Sequence, residues 1–552
     1  MKVSLIAATP VEHASGAPAS ASRDFAFDSY NYAIGLLAAC VREDPVASRS
    51  TRVSLHDLPV SRSQTILPEH QLERVLADAP DVIGLSCYCW SADLLLDSAA
   101  ELRRRRPGVR ILAGGPSVSS SPQALLEKHA ALDIVVRGEG EAPFVALCRA
   151  GFDRPWELPN VTARNGTAIL HNDREDEADF AALPSAYLSG ALAPPSTSLL
   201  MEPSRGCRFR CRFCSWSTRR GSLRYADDRR LEAEIRWGIE HGCTALNFCD
   251  SAVNHDTDAL RRLCALMARA DPERALSLSL FVRHEQLDDE QLALLSGLRC
   301  DELIIGLESI HEEALRSCGK APLDRDRFER RLEVLGAMGH RATLSIMSGL
   351  PGDTVQGFGA TLDYLEELMR RQPDSINSVC CFWLAILPGT RFAADSAAQG
   401  FEVAPRGTPY LLRSLRHTPS DLQRMAADIV DRTRRNPRFR CEEIHRDAVA
   451  PQRLARPAPA PATHAPSTTL EPLALIAPWR PGEVHGEWTL RDVVPLPPSE
   501  GWVAFRFAHR GGEVVLVVIA PKRQDREHAA RTGRFDLYYR CDGAGAVPGT
   551  RV

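Results

Sequence analysis

No run of apolar residues in this chain approaches the ~20 that a helix needs to cross a bilayer. The opening Met1-Lys2-Val3-Ser4-Leu5-Ile6 has the texture of a strand, not of a secretory leader. Charge of neither sign prevails. Against 71 Asp and Glu stand 67 Lys and Arg, a net charge of −4 that leaves no global basic field for nucleic acid. The one short basic run, Arg103 to Arg106 before Pro107-Gly108, reads as a solvated helix end. The 16 cysteines are scattered and lack the dense spacing of a secreted disulfide scaffold, so a reducing cytoplasm is the expected setting. Cys87, Cys89, Cys249 and the pair Cys380-Cys381 lie in apolar, strand-like runs and read as buried thiols. A chain of 552 residues has length for three or four domains, each with its own core.

The stretch Ser204-Arg205-Gly206-Cys207-Arg208-Phe209-Arg210-Cys211-Arg212-Phe213-Cys214 carries the chemistry. Three cysteines at C-x3-C-x2-C spacing follow the apolar run Leu199-Leu200-Met201 on a short loop. Thiolates are the soft ligands of iron–sulfur clusters, and a compact loop can aim several at one cluster. Three ligands leave one iron of a [4Fe-4S] cluster open. A zinc knuckle or buried free thiols are the alternatives, but zinc wants a fourth ligand nearby, and no Cys or His falls between Cys214 and His241.

This spacing, with Phe213 just before the last cysteine, resembles the signature of the radical S-adenosylmethionine (SAM) enzymes. The resemblance implies that Cys207, Cys211 and Cys214 hold the cluster and that its open iron chelates SAM, whose reductive cleavage yields a 5′-deoxyadenosyl radical. After the loop, apolar runs alternate with helical stretches as βα units require. Strands are expected at Ser198–Met201, Ala245–Phe248, Leu276–Val282, Leu303–Leu307, Thr343–Ser348 and Val379–Ile386, six parallel strands of an incomplete barrel. Functional residues of such barrels sit at the C-terminal strand ends. There Phe248-Cys249-Asp250 resembles the family's ammonium-binding segment, with Asp250 either accepting from SAM's ammonium or capping the next helix. Gly306-Leu307-Glu308-Ser309 resembles the G-x-E-S segment near the SAM ribose or carboxylate. Ser348-Gly349-Leu350-Pro351-Gly352-Asp353-Thr354 resembles the segment near the adenine. Phe213, Asp250, Glu308, Ser309 and Ser348 are thereby the implied SAM-binding residues. For Arg283, after the third strand, a structural ion pair serves equally well.

Ahead of the loop, strand-like and helix-like runs alternate through residues 1–150, the pattern of an open parallel sheet with helices on both faces. Ligands of such sheets bind beyond the carboxyl ends of the strands. Ser86, Gly114-Gly115-Pro116 and Gly138-Glu139-Gly140 fall there, with glycines that let a bulky ligand approach the backbone. Placed before a radical SAM core, this region resembles the cobalamin-binding domain of the cobalamin-dependent radical SAM enzymes. The resemblance implies cobalamin contacts at Ser86, Gly114, Gly115, Pro116, Gly138 and Glu139. Many cobalamin domains carry D-x-H-x-x-G, but here the first loop offers Val11-Glu12-His13-Ala14-Ser15-Gly16, without the Asp that orients a metal-bound imidazole. His13 is expected to be a loop residue, with no protein histidine below cobalt.

The expected architecture is α/β: a Rossmann-like doubly wound parallel sheet (1–150), a linker with a small hairpin (151–195), a partial (β/α)6 radical SAM barrel (196–400), a helical extension (401–450), a Pro- and Ala-rich linker (451–472) and a small β-rich C-terminal segment (473–552). Within the last, Trp502 to Ile519 reads as a hairpin around Gly511-Gly512. The resemblance implies three cofactors, a [4Fe-4S] cluster, SAM and cobalamin. It also implies methylation of an unactivated carbon of a small natural-product or peptide substrate, with methylcobalamin as methyl donor. A flavodoxin- or ferredoxin-like protein is the expected one-electron donor, and neither nucleic acid nor membrane is expected as a partner. The alternatives are a relative that cyclises or rearranges a ring with the same cofactors, and a non-catalytic cobalamin-binding scaffold.

Overall fold

The structure, a computed structural model, describes residues 1–10, 32–61, 64–195, 197–217 and 223–449, and the backbone of strands lying between 484 and 540. His13 and the Pro- and Ala-rich stretch 451–472 lie outside the described residues. The contacts divide the chain into two compact units, Met1–Ala455 and Arg456–Val552.

In the first unit, β1 (Lys2–Pro10), β2 (Arg52–Val60), β3 (Val82–Ser86), β4 (Arg110–Gly114) and β5 (Ile134–Val136) form a parallel sheet. Its order is β2-β1-β3-β4-β5, followed by β6 (Val161–Asn165) and β7 (Ala168–His171). Separate apolar clusters cover the two faces. One gathers Ile6, Leu85, Leu95, Leu102 and Ile111, and the other Val3, Leu5, Ile34, Leu112 and Phe144. Coverage on both sides explains why Val82–Leu85 is continuously apolar and fully buried instead of alternating. Chain direction around the sheet reverses between β1 and β3, so the ligand crevice of such a sheet lies beyond their carboxyl ends. The Asn-Gly hairpin at 161–171 is not a free linker. It extends this sheet as two antiparallel strands, with Val136 opposite Val161.

The second sheet is built from β8 (Ser198–Met201), β11 (Ala245–Phe248), β12 (Ser277–Val282), β13 (Cys300–Glu308), β14 (Ala342–Ser348), β15 (Ile376–Trp383) and β18 (Phe439–Cys441), all parallel. Between them come the ribbon β9 (Ser204–Arg205) and β10 (Arg224–Tyr225) and the short pair β16 (Glu402–Val403) and β17 (Leu411–Arg413). The barrel therefore has seven strands where the sequence pattern gives six. The extra one comes from the segment read as helical, which also contains the helix Pro419–Arg435 with a Thr418/Asp421 capping box. A three-residue strand has too little pattern to register as one.

The second unit is an antiparallel sheet of β19 (Val484–His485), β20 (Trp488–Pro495), β21 (Val503–His509), β22 (Gly512–Val518) and β23 (Tyr538–Arg540). The expected hairpin is β21–β22, with His509 opposite Gly512. Among the described residues no helix is long and apolar enough to cross a membrane.

Candidate active site at the facing strand ends

The cysteine loop is tied at its base and along its back. At the base, Arg205 pairs with Arg224 across the β9–β10 ribbon, and Gly206 adopts φ +96°, a conformation that favours glycine. Ser251 Oγ donates to the Gly206 carbonyl at 2.8 Å. Along the back, Arg212 N donates to Cys318 O at 2.9 Å, and Phe392 N donates to Arg212 O at 3.0 Å. Gly319 permits this approach, since a Cβ there would come 3.0 Å from Arg210 O. Cys211 is buried, and Cys207 and Cys214 are half-buried. Among the described residues no three His, Cys, Asp or Glu side chains converge as they would on a single metal ion. A four-iron cluster is a larger body that holds its thiolates further apart, and the soft three-sulfur donor set fits it.

Arg283 resolves as more than an ion pair. Its Nη1 donates to Cys211 Sγ at 3.2 Å, its Nη2 to Glu285 at 2.9 Å, and its guanidinium lies 4.2 Å from the Phe209 ring centroid. Phe209 in turn stacks on His255. Were Cys211 to hold the cluster, a cation donating to its sulfur would favour the reduced, more negative state. If that bond differs by about 1 kcal/mol between oxidation states, Arg283→Met lowers the one-electron potential by about 40 mV. An EPR-monitored redox titration checks this.

Asp250 follows β11 and is buried. Its Oδ2 accepts from Ser204 Oγ at 2.9 Å, while its Oδ1 is buried with no hydrogen-bond partner among the described residues. Burial, opposed by the Ser204 bond, pushes the carboxyl up to about 6. It does not cap the next helix, because Asp256 does that by accepting from Ala259 N. An orphaned acceptor of this kind fits SAM's ammonium group. Glu308 ends β13 at φ +67°, and its Oε1 lies 2.9 Å from Lys320 Nζ, which also donates to the Gly306 carbonyl. Both side chains are almost fully buried, so each charge depends on the other.

Other expected SAM contacts face protein partners. Ser309 Oγ donates to Asp353 Oδ2 at 3.2 Å and accepts from His311 N, so it shapes the turn. Ser348 Oγ lies 3.0 Å from His445 Nε2. Phe213 packs half-buried against the barrel core.

In the first sheet, Ser86 stands opposite Gly114, and Cys87 N donates to Gly114 O at 2.8 Å. Gly115 has φ +110°, and a Cβ there would come 2.6 Å from Cys87 O. Ser119 Oγ donates to Gly115 O and accepts from Gly138 N, linking the two glycine loops into one ledge. Pro116 and Gly138 are exposed along it, leaving backbone that a large planar ligand can approach. Glu139 is different. It is buried, and its carboxylate is gripped by Arg224, with Arg205 Nη1 3.6 Å away.

The two sets of strand ends meet. Tyr88, just past β3, stacks on Trp90 with centroids 4.7 Å apart. Burial first, then the neighbouring Cys249, Glu202 and Glu141, pushes the Tyr88 phenol up to about 12. Just past β8 and β5, Glu202 and Glu141 both accept from Arg205, at 2.8 and 2.6 Å, which joins the ends of the two sheets. Further around, Arg406 pairs with Asp97, and Gly407 N donates to Asp93 Oδ2 at 2.5 Å.

An open α/β sheet with a glycine ledge, set against a barrel carrying three loop cysteines, defines a radical SAM enzyme with a second cofactor-binding domain. Residues 21–148 match the model of the B12 binding domain, and residues 201–365 match that of the radical SAM superfamily. The chain belongs to the cobalamin-dependent radical SAM enzymes, whose cofactors are cobalamin, SAM and a [4Fe-4S] cluster.

Among curated relatives, cobalamin-dependent radical SAM methyltransferase TokK of Streptomyces tokunonensis is 28% identical over 298 residues, covering 50% of this chain and 44% of that protein. The 2-(S-pantetheinyl)-carbapenam-3-carboxylate methyltransferase of Streptantibioticus cattleyicolor is 34% identical over 186 residues, covering 31% of this chain and 27% of that protein. The chain thus spans less than half the length of either. Its fold is similar to that of the methyltransferase TsrM from Kitasatospora setae, solved with cobalamin and a [4Fe-4S] cluster, at TM-score 0.55 and 18% identity, covering 77% of this chain and 84% of that one. It is likewise similar to OxsB, solved with aqua-cobalamin, at TM-score 0.56 and 15% identity, covering 78% of this chain and 66% of that one.

Proposed function

We propose that this chain is a methyltransferase acting on an unactivated carbon of a small natural-product or peptide substrate. The observation that carries the reading is the meeting of the two sets of strand ends, where Glu139 and Glu141 beyond the first sheet accept from Arg224 and Arg205 at the base of the cysteine loop. When bound, the cluster and SAM supply a substrate-activating radical, and cobalamin supplies a methyl carrier. The protein's part is placement and exclusion of water. Cys207, Cys211 and Cys214 hold the cluster, Asp250 Oδ1 accepts from the SAM ammonium, and the buried Glu308–Lys320 pair lines the same strand ends. Ser86, Gly114, Gly115, Pro116 and Gly138 form the cobalamin ledge, and the stacked aromatic pair Tyr88 and Trp90 follows directly after Ser86. In the cell, a reducing cytoplasm and a flavodoxin- or ferredoxin-like donor complete the system.

The test supplies methyl-deuterated SAM, a chemical reductant and, as first probe, 2-(S-pantetheinyl)-carbapenam-3-carboxylate, then short peptides. The reading expects labelled methyl in the product, with S-adenosylhomocysteine and 5′-deoxyadenosine formed together, two SAM per methylation. A transformed probe without the label, accompanied by 5′-deoxyadenosine alone, identifies a ring-rearranging enzyme and rejects methyl transfer.

A further inference from the structure

The ribbon at the base of the cysteine loop does more than close the loop. Residues paired across antiparallel strands project from the same face, and the pair here is Arg205 and Arg224, two like charges that repel unless something sits between them. Glu139, from the cobalamin ledge, sits there. Arg224 donates to both its oxygens. Arg205 spreads over three carboxylates. Its Nε and Nη2 donate to the two oxygens of Glu202 at 2.9 and 2.8 Å, its Nη2 also donates to Glu141 Oε1 at 2.6 Å, and its Nη1 approaches Glu139.

Glu202 directly follows the first barrel strand, and Glu141 opens the helix Glu141–Arg149 directly after the ledge. One guanidinium therefore bonds the cobalamin side and the barrel side two residues before the first cluster cysteine. Its side chain is only 13% exposed, and the Phe180 ring lies 4.6 Å beneath it. A planar fork holds such a geometry where a flexible ammonium does not.

We propose that Arg205 is a positioning residue that locks the cobalamin ledge to the base of the cluster loop and so fixes the distance between the two cofactors; this rests on the two-cofactor reading above. Reactive centres displaced by about 1 Å can lose about 100-fold in rate, so a lock at this point sets coupling between SAM cleavage and product formation.

The test uses holoenzyme reduced so that both the bound cobalt and the cluster carry an unpaired electron, with pulsed dipolar EPR reading their separation. Wild type is expected to give one narrow distance. Arg205→Gln and Glu139→Gln, each loaded with both cofactors, should broaden it, with a severalfold rise in 5′-deoxyadenosine per turnover product. Arg205→Lys, which keeps the charge without the fork, should fall between. Wild-type distances in loaded, normally melting Arg205→Gln and Glu139→Gln overturn the proposal. Should Arg205→Gln not accumulate, Glu141→Gln and Glu139→Gln, which remove its partners on the cobalamin side one at a time, decide the matter. The distance is read without turnover, so a narrow wild-type distance with no methylated product rejects methyl transfer and leaves the lock standing.

Discussion

Replacing Cys207, Cys211 and Cys214 together by alanine is expected to abolish SAM cleavage while leaving cobalamin binding intact. The three thiolates are the cluster's protein ligands on this account, so the variant retains neither iron nor the site that SAM chelates. The separation of effects follows from the packing. The first sheet buries its two faces in apolar clusters of its own, distinct from the large cluster that fills the barrel. Cys211 is buried and Cys207 and Cys214 are half-buried, but none of the three belongs to these clusters, so their loss removes little apolar burial from either. Iron analysis, 5′-deoxyadenosine by chromatography and the visible spectrum of added hydroxocobalamin read the three quantities in one preparation. A scaffold protein would keep its biological function in this variant, and an enzyme would lose it.

Asp250→Asn is the second large effect. Truncating one partner of a buried charge pair costs about 2 kcal/mol or more, about 30-fold in affinity, so SAM binding should weaken by at least that factor. The pH dependence has a definite sign. The wild-type carboxyl is held up at about 6, chiefly by burial, with Glu202 as a further anionic neighbour. SAM affinity should therefore fall as pH drops through about 6 and the carboxyl takes up a proton, while the Asn variant should be flat through that range. Without SAM the same shift works against the protein. A carboxyl whose folded pKa is raised destabilises the fold when ionised, on the order of 2–3 kcal/mol here. Ligand-free Asp250→Asn should melt higher than wild type at pH 8, with the gap closing as pH falls toward 4. Calorimetry with and without SAM reads both signs.

The chemistry was legible in the sequence wherever it is local. The C-x3-C-x2-C loop is one contiguous stretch, and the strand ends bearing Ser86, Gly114, Asp250 and Glu308 follow from apolar runs bounded by glycine and polar residues. What could not be read is what distant segments do to one another. Lys320 neutralises Glu308 from a turn with no motif of its own, and His445 reaches Ser348 across nearly a hundred residues. Glu139 looks like part of a ligand loop in sequence, but the paired arginines of β9 and β10 claim its carboxylate. Edge strands escaped for a different reason. Periodicity shows that 161–171 is a hairpin but not which sheet edge it joins, and Phe439–Cys441 is too short for any periodicity.

The claim that one chain carries both cofactors is tested most directly by a single anaerobic reconstitution with iron, sulfide and hydroxocobalamin, followed by desalting. One cobalamin and one four-iron cluster per chain are expected on the same molecule, each with its own visible spectrum and, after reduction with dithionite, its own EPR signal. A chain that retains the cluster but releases all cobalamin, or that holds zinc at the three cysteines, contradicts it.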